Sequence, residues 1–428
     1  MKAKRRYCIR EFGYLLEGRG LGENTLGVPQ SAFRYLQSLI LKEPDKVDFG
    51  PFLQLCTFKH QTALKVQNYV GVIQTPCGVL IEILPKLKAE GKDSEEVVRD
   101  QLITMLRCLR NSPFKEADYA DIRDTSMPLL EVYISQFLAL TNKLLKRGIR
   151  SDYVRKQKSA AYLKGRLLVS QQIRQHVTHP ERFLIECDEY LVNRPANRLI
   201  KLTLELSKRA SQSFKNLRLA KELSLAFEEV PISVNVQADF QKVKFSRSMK
   251  YYQEVLSWCH LLLNGQGPTA SAGKINTLSM LYPMERIFED YVAHCLKSNL
   301  SDYFGEGATL KTQVSKQSLV EEHNDSTIFK LRPDLAVVKD SRLVCVMDTK
   351  WKLIDASNRR AKYGISQADM YQLYAYGHKY LKEQASKELM LIYPKSECFF
   401  EPLPSFKYED GLTLKVVPFD LSSGTLCT

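Results

Sequence analysis

The stretch from Leu331 to Lys352, LRPDLAVVKDSRLVCVMDTKWK, restricts the possible folds more than any other part of the chain. It predicts two short strands. The first, Leu331–Val338, is apolar apart from Arg332 and Asp334, and the second, Leu343–Met347, is a continuous apolar run. Lys339-Asp340-Ser341 supplies a polar turn between them. An unbroken apolar run suits a strand covered on both faces. Such a strand should carry no charge, yet this one ends in Asp348-Thr349-Lys350. Side chains alternate along a strand, so Asp348 and Lys350 share a face, and Asp334 can lie beside them from the neighbouring strand. Two carboxylates and an ammonium at the end of a buried strand pair are costly unless something binds there.

The chemistry that fits is metal-assisted phosphodiester hydrolysis. Mg²⁺ takes a few carboxylates, keeps several waters and accepts phosphate oxygens. The ion lowers the pKa of a bound water and stabilises charge building on phosphorus. A nearby lysine can orient that water or neutralise the same charge. Pro333-Asp334, a strand turn, then Asp348-x-Lys350 is similar to the PD-(D/E)xK nuclease signature. The plain alternative is a surface hairpin whose Asp and Lys form a solvated cross-strand pair. Two flanking segments bear on the choice. Downstream, Ser366–Leu381 predicts a helix with Gln372 and Tyr376 on one face. This resembles the Gln-x-x-x-Tyr helix that follows the D-x-K strand in RecB-like nucleases. Upstream, Pro283–Leu296 predicts a helix with Ile287, Tyr291 and Cys295 at core spacing. It carries Glu285 and Glu289 one turn apart, and either could reach the metal. The bland readings are an aromatic core stripe around Tyr371–Tyr376 and solvated glutamates.

At 428 residues the chain is long enough for two or three domains. No apolar run approaches the roughly 20 residues that span a bilayer. The start is basic, but Glu11 and a short apolar stretch spoil it as a signal peptide. Ten cysteines are scattered with no CxxC pair, which points to reduced thiols in a cytoplasm and no zinc site. The seven histidines form no ligand cluster; His176 and His179 lack nearby partners. The excess of 62 basic over 48 acidic residues gives +14, which favours polyanionic partners and salt-dependent binding.

The expected architecture is mixed α/β in three parts: a β-rich N-terminal module over 1–150, a helical middle over 151–265, and a restriction-endonuclease-like PD-(D/E)xK core over 274–428. Tyr69–Gln74 and Val79–Pro85 predict a hairpin around Thr75-Pro76-Cys77-Gly78. A helix is expected from Asp93, with Glu96 as a capping-box partner, and another over Pro128–Lys146. Lys143–Arg166 is densely basic with Tyr153 and Tyr162 interleaved; it reads as a phosphate-tracking stretch or as a solvated linker. Helices are expected at Leu167–His176, Asn193–Lys208, Lys221–Phe227 and Tyr251–Leu263, with a linker at Gly265–Lys274. No phosphate-binding loop G-x-x-x-x-G-K-[ST] occurs, so the chain carries no motor of its own.

With these parts in order, the chain resembles the McrC family, nuclease subunits of McrBC-type restriction systems. The resemblance rests on Gly71-Val72-Ile73, Ile81-Glu82-Ile83-Leu84-Pro85-Lys86, Gly165-Arg166-Leu167, Asn193 with Asn197-Arg198, and Phe288-Glu289. It continues through Arg332-Pro333-Asp334, Asp348-Thr349-Lys350 and Tyr371-Gln372-x-x-x-Tyr376. The family implies an N-terminal region that docks on an AAA+ GTPase ring of the McrB type and stimulates it. It also implies a C-terminal Mg²⁺-dependent endonuclease acting on double-stranded DNA, with GTP bound by the partner. In this reading Asp334 and Asp348 hold the metal, with Glu289 as a third ligand. Lys350 orients water and stabilises the phosphorane, and Gln372 and Tyr376 support the site. Lys350 and Tyr376 are also the expected DNA contacts. Two other readings stay open: a stand-alone RecB-like repair nuclease, and an adaptor that only activates a GTPase.

Overall fold

The apolar run forms the strand Arg342–Thr349, inside a mixed sheet of seven strands among the described residues. The chain is known from a computed structural model, which describes residues 6–42, 52–87, 94–110, 127–175, 181–243, 249–264, 279–324, 326–382 and 387–428. The sheet order is Thr309–Thr312, Leu335–Lys339, Arg342–Thr349, Glu388–Pro394, Thr413–Asp420 and Phe406–Lys407, with Thr425–Leu426 also on Thr413–Asp420. Leu335–Lys339 and Arg342–Thr349 are antiparallel, and Lys339 faces Arg342 across a two-residue turn. Asp340 and Ser341 both take positive φ, 51° and 63°, the turn that matches the twist of a tight hairpin.

One expectation is corrected here. Leu331–Val338 does not form a single strand. Ser326–Leu331 pairs with Gln317–His323 in a separate two-stranded ribbon, and the sheet strand begins only at Leu335. Pro333 lies at the break: it has no amide hydrogen to give a ladder.

Arg342–Thr349 runs parallel to Glu388–Pro394, a pairing that needs a crossover. The helix Gln367–Tyr380 lies in that crossover, begun where Ser366 caps the amide of Asp369. Its Leu373 and Tyr376 pack on Val346, Leu389, Leu391, Leu414 and Val416. The helix Met284–Ser298 brings Phe288 to 5.3 Å from the Trp351 ring and 6.1 Å from Phe419. The strand is thus covered on both faces, as its composition requires.

The expected hairpin is present as Tyr69–Gln74 and Leu80–Leu84, in a four-stranded sheet with Arg6–Arg10 and Ser279–Pro283. A second sheet, Thr25–Val28, Tyr14–Glu17, Gln61–Val66 and Leu53–Phe58, shares its core with the first and with the helix Gln30–Lys42. Every residue of Leu80–Leu84 is buried, including Glu82. Its carboxylate meets Arg99 Nε at 2.8 Å and Arg6 Nη2 at 2.6 Å, so the buried charge is paired. Arg99 comes from the helix Ser94–Arg107; its expected cap, Asp93, lies outside the described residues.

By compactness the chain divides into Met1–Lys115 with Leu281–Thr428, and Glu116–Met280. The first unit holds the N-terminal sheets together with the C-terminal sheet, and Leu129–Arg147 belongs to the second. In that unit Leu129–Arg147, Pro195–Ala210, Phe214–Ala226 and Lys250–Asn264 pack together. The buried Glu131 accepts from Ser211 Oγ at 2.7 Å and Asn216 Nδ2 at 2.8 Å. This unit is not wholly helical. Asp152–Ala160, Phe183–Leu191 and Arg166–Leu167 form a three-stranded antiparallel sheet. Part of the basic Lys143–Arg166 stretch is therefore a strand, with Arg155 3.6 Å from Asp188 across the ladder. The expected linker Gly265–Lys274 lies outside the described residues, as do His176 and His179. Among the described residues no helix is long and apolar enough to cross a membrane.

Candidate active site

The two central strands pair as far as Leu335 and Met347, and the next residue on each is an aspartate. Asp334 Oδ2 accepts from the Thr349 amide at 2.8 Å and its hydroxyl at 2.9 Å, which fixes the carboxylate against the neighbouring strand. Asp348 is 1% exposed and forms an ion pair with Lys350. From Lys350 a chain of hydrogen bonds leads back to the motif. Lys350 Nζ donates to Gln372 Oε1 at 3.3 Å, Gln372 Nε2 to Tyr376 Oη at 2.6 Å, and Tyr376 Oη to the Arg332 carbonyl at 3.1 Å. The i, i+4 pair on the helix therefore braces both strands that carry the acids. Tyr376 is 3% exposed with its hydroxyl engaged twice, which suits bracing.

Burial, then the neighbouring Asp334, pushes the Asp348 carboxyl up to about 7, against the pull of Lys350. Asp334 is raised as well, by burial above all. Burial, then Asp334, lifts Glu289 to about 7. Burial disfavours the Lys350 ammonium, but Asp348 and Asp334 together hold its pKa above the usual lysine value. The site is a place where negative charge is under strain and a cation relieves it.

A pH dependence follows. A carboxyl whose pKa is higher in the folded chain binds extra protons there, so its contribution favours folding at low pH and is lost as pH rises. For Asp348 the window runs from the usual carboxylate range, near 3.8, to about 7. Asp348→Asn mimics the protonated acid. Its stability relative to the parent should grow from pH 5 to about pH 7, by up to ~1.4 kcal/mol per pH unit, and level off above that. Millimolar Mg²⁺ should raise the melting temperature of the parent at pH 8 and not that of the variant. A difference between the two proteins that stays flat with pH would show that Asp348 carries no strain.

Glu289 and Glu285 part company. Glu285 is exposed and lies near Glu11 and Lys86, whereas Glu289 is the glutamate near Asp334. Glu289 Oε1 accepts from Gln313 Nε2 at 2.8 Å and Arg110 Nη2 at 2.9 Å. Among the described residues no three His, Cys, Asp or Glu side chains form a metal-binding group by themselves. The donors still fit an oxygen-seeking divalent ion. Asp334 and Asp348 are hard, mutually repelling oxygen ligands, and Mg²⁺ is commonly held by one or two carboxylates with water and phosphate completing its shell.

Four participants were not foreseen from the sequence. Thr349 anchors Asp334; Gln313 and Arg110 hold Glu289; Asp369 is close enough to raise the Asp348 pKa. Asp369 stands three residues before Gln372, the spacing that puts both on one helical face, and that signal was readable. A further tie reaches the site from the N-terminal sheets. Trp351, next to Lys350, donates its Nε1–H to the buried Glu11 Oε1 at 2.7 Å, and Lys86 Nζ donates to the Trp351 carbonyl at 3.1 Å.

The fold and site together define a mixed α/β protein with an acid–lysine cluster at the open end of a central strand pair. Residues 64–394 match the family model described as McrBC 5-methylcytosine restriction system component. The chain belongs to that family, in agreement with the resemblance read from the sequence. Two solved structures from Thermococcus gammatolerans are similar in fold. One is a refined half-complex from a tetradecameric assembly of McrB AAA+ hexamers with bound McrC. It matches at 19% identity and a TM-score of 0.71, over 98% of this chain and 95% of that one. The other is a McrBC complex determined by cryo-electron microscopy, at 21% identity and a TM-score of 0.52, over 70% of this chain and 89% of that one. No curated protein matches the chain.

Proposed function

We propose that this chain is the nuclease subunit of a GTP-driven McrBC-like restriction complex, a cytoplasmic Mg²⁺-dependent DNA endonuclease with a PD-(D/E)xK core. The observation that carries the reading is the convergence of Asp334, Asp348 and Lys350 where two core strands part, braced by Gln372 and Tyr376. Asp334 and Asp348 would hold the metal, with Glu289 as a third ligand. The bound ion would supply positive charge at the scissile phosphate and a more acidic water. Thr349 keeps the half-buried Asp334 carboxylate aimed, and burial keeps Asp348 dry enough for its charge to act at short range. Lys350, about a quarter exposed, sits beside Asp348 where its ammonium can neutralise charge on the phosphorane and touch DNA. Gln372 fixes the direction of that ammonium.

The Thermococcus assembly contains McrB AAA+ hexamers with bound McrC, and this supports a ring of the same kind as partner here. The net charge of +14 suits a protein that also meets double-stranded DNA. The test is to mix the purified chain with a McrB-type AAA+ GTPase from the same organism. The two should co-elute and GTP turnover should rise severalfold. Failure to co-elute, with robust sequence-specific cutting by the chain alone, would overturn the reading in favour of a stand-alone nuclease.

A further inference from the structure

Arg110 is held in three ways by two neighbouring acids. Its Nη2 lies 2.9 Å from Glu289 Oε1, its Nε 2.6 Å from Asp290 Oδ1, and its backbone amide donates to Asp290 Oδ2 at 3.1 Å. The Asp290 side chain is 3% exposed, so the anchor of this clasp is buried and the guanidinium is fixed as a planar fork. The same Glu289 oxygen also accepts from Gln313 Nε2, and the Gln313 backbone N–H donates to the carbonyl of Asp334 at 2.9 Å. One glutamine thus spans the gap between Glu289 and the residue that opens the acidic pair. With Oε1 committed twice, Glu289 is near enough to Asp334 to raise its own proton affinity, but it does not close a three-acid group.

The position of the clasp along the chain matters. Arg110 lies three residues beyond the helix Ser94–Arg107, and the chain leaves the first compact unit after Lys115. It re-enters at Leu281 and runs straight into Met284–Ser298, the helix that carries Glu289 and Asp290. Both passages between the units therefore adjoin the clasp in sequence.

We propose that Arg110 is a positioning residue that holds Glu289 off the Asp334–Asp348 pair, so that the third carboxylate joins the metal site only when the clasp opens. This rests on the metal-dependent nuclease reading. Until the clasp opens the site has two carboxylates, and divalent ions bind weakly.

The test measures Mn²⁺ binding to the full-length chain without DNA or partner, by titration calorimetry and by loss of the free-ion electron paramagnetic resonance signal. Arg110→Gln should bind Mn²⁺ about tenfold more tightly than the parent. Adding Glu289→Gln to that variant should remove most of the gain, the remainder being the loss of the Arg110 charge that also acts on Asp334; a gain that survives in full overturns the clasp. Gln313→Leu removes the other donor and should give a smaller gain in the same direction; it stands in if Arg110→Gln does not fold. Unchanged or weaker binding in the variants, while the parent binds Mn²⁺ in a manner abolished by Asp348→Asn, overturns the clasp and leaves the metal site standing. If Asp348→Asn does not alter binding by the parent, the metal reading itself fails and the clasp falls with it.

Discussion

Asp348→Ala is expected to lower DNA cleavage by ~10³-fold or more while GTP turnover by the partner ring stays at the parental level. The carboxylate contributes to the metal-dependent step alone, and in this account the GTP site lies on another chain. Removing one of two close ligands from Mg²⁺ forfeits several kcal/mol of transition-state stabilisation, at ~1.4 kcal/mol per factor of ten. The fold should survive, because burial and the neighbouring Asp334 already disfavour a charged Asp348 when no cation separates the two acids. Lys350→Ala should be nearly as damaging to cleavage but should retain the metal, since an ammonium is no ligand. Loss of both cleavage and GTPase stimulation in Asp348→Ala would mean that the residue holds the fold together instead.

The largest loss of stability is expected at a distance from the chemistry. Glu82→Ala leaves Arg99, 2% exposed, with its guanidinium buried and its carboxylate partner gone. Breaking a buried pair on one side costs ~3–5 kcal/mol, because the remaining charge loses its nearest carboxylate and gains no water in exchange. Arg6, about a third exposed, can turn to solvent and should suffer less. Thermal melting of the single variant and of Glu82→Leu with Arg99→Met separates the effects. The single variant should melt far below the parent, and the double variant should recover much of the loss. Equal melting temperatures for the parent and Glu82→Ala would show that the pair contributes nothing.

The parts of this molecule that sequence reasoning reached are those written in local periodicity. The apolar run before Asp348 marked a strand covered on both faces, and Gln372 with Tyr376 marked one face of a helix. Both took their place beside Lys350. Pro333 was read as part of the motif and not as a break, so the ribbon strand Ser326–Leu331 was joined to the sheet strand that follows it. In Phe183–Leu191, the buried Ile185 and Cys187 alternate with Glu186 and Asp188, a period of two that a helical reading of the region overrode. Arg110 illustrates a different limit. Its partners stand 179 and 180 residues away, and nothing around Arg110 announces them. The same holds for Trp351 and Glu11, separated by 340 residues. Long-range polar pairs of this kind come into being only with the tertiary fold, and they tie the N-terminal sheets to the acid–lysine cluster.

The chain is proposed to cut DNA as the nuclease of a GTPase complex. Reconstitution with the partner ring on a plasmid carrying 5-methylcytosine tests it directly, with each component omitted in turn and GTP turnover followed in the same tubes. Double-strand breaks are expected when the chain, the ring, GTP and Mg²⁺ are all present, and little cutting when any one is left out. Cutting at full rate by the chain alone, or a complex that accelerates GTP turnover yet leaves the plasmid intact, would contradict it.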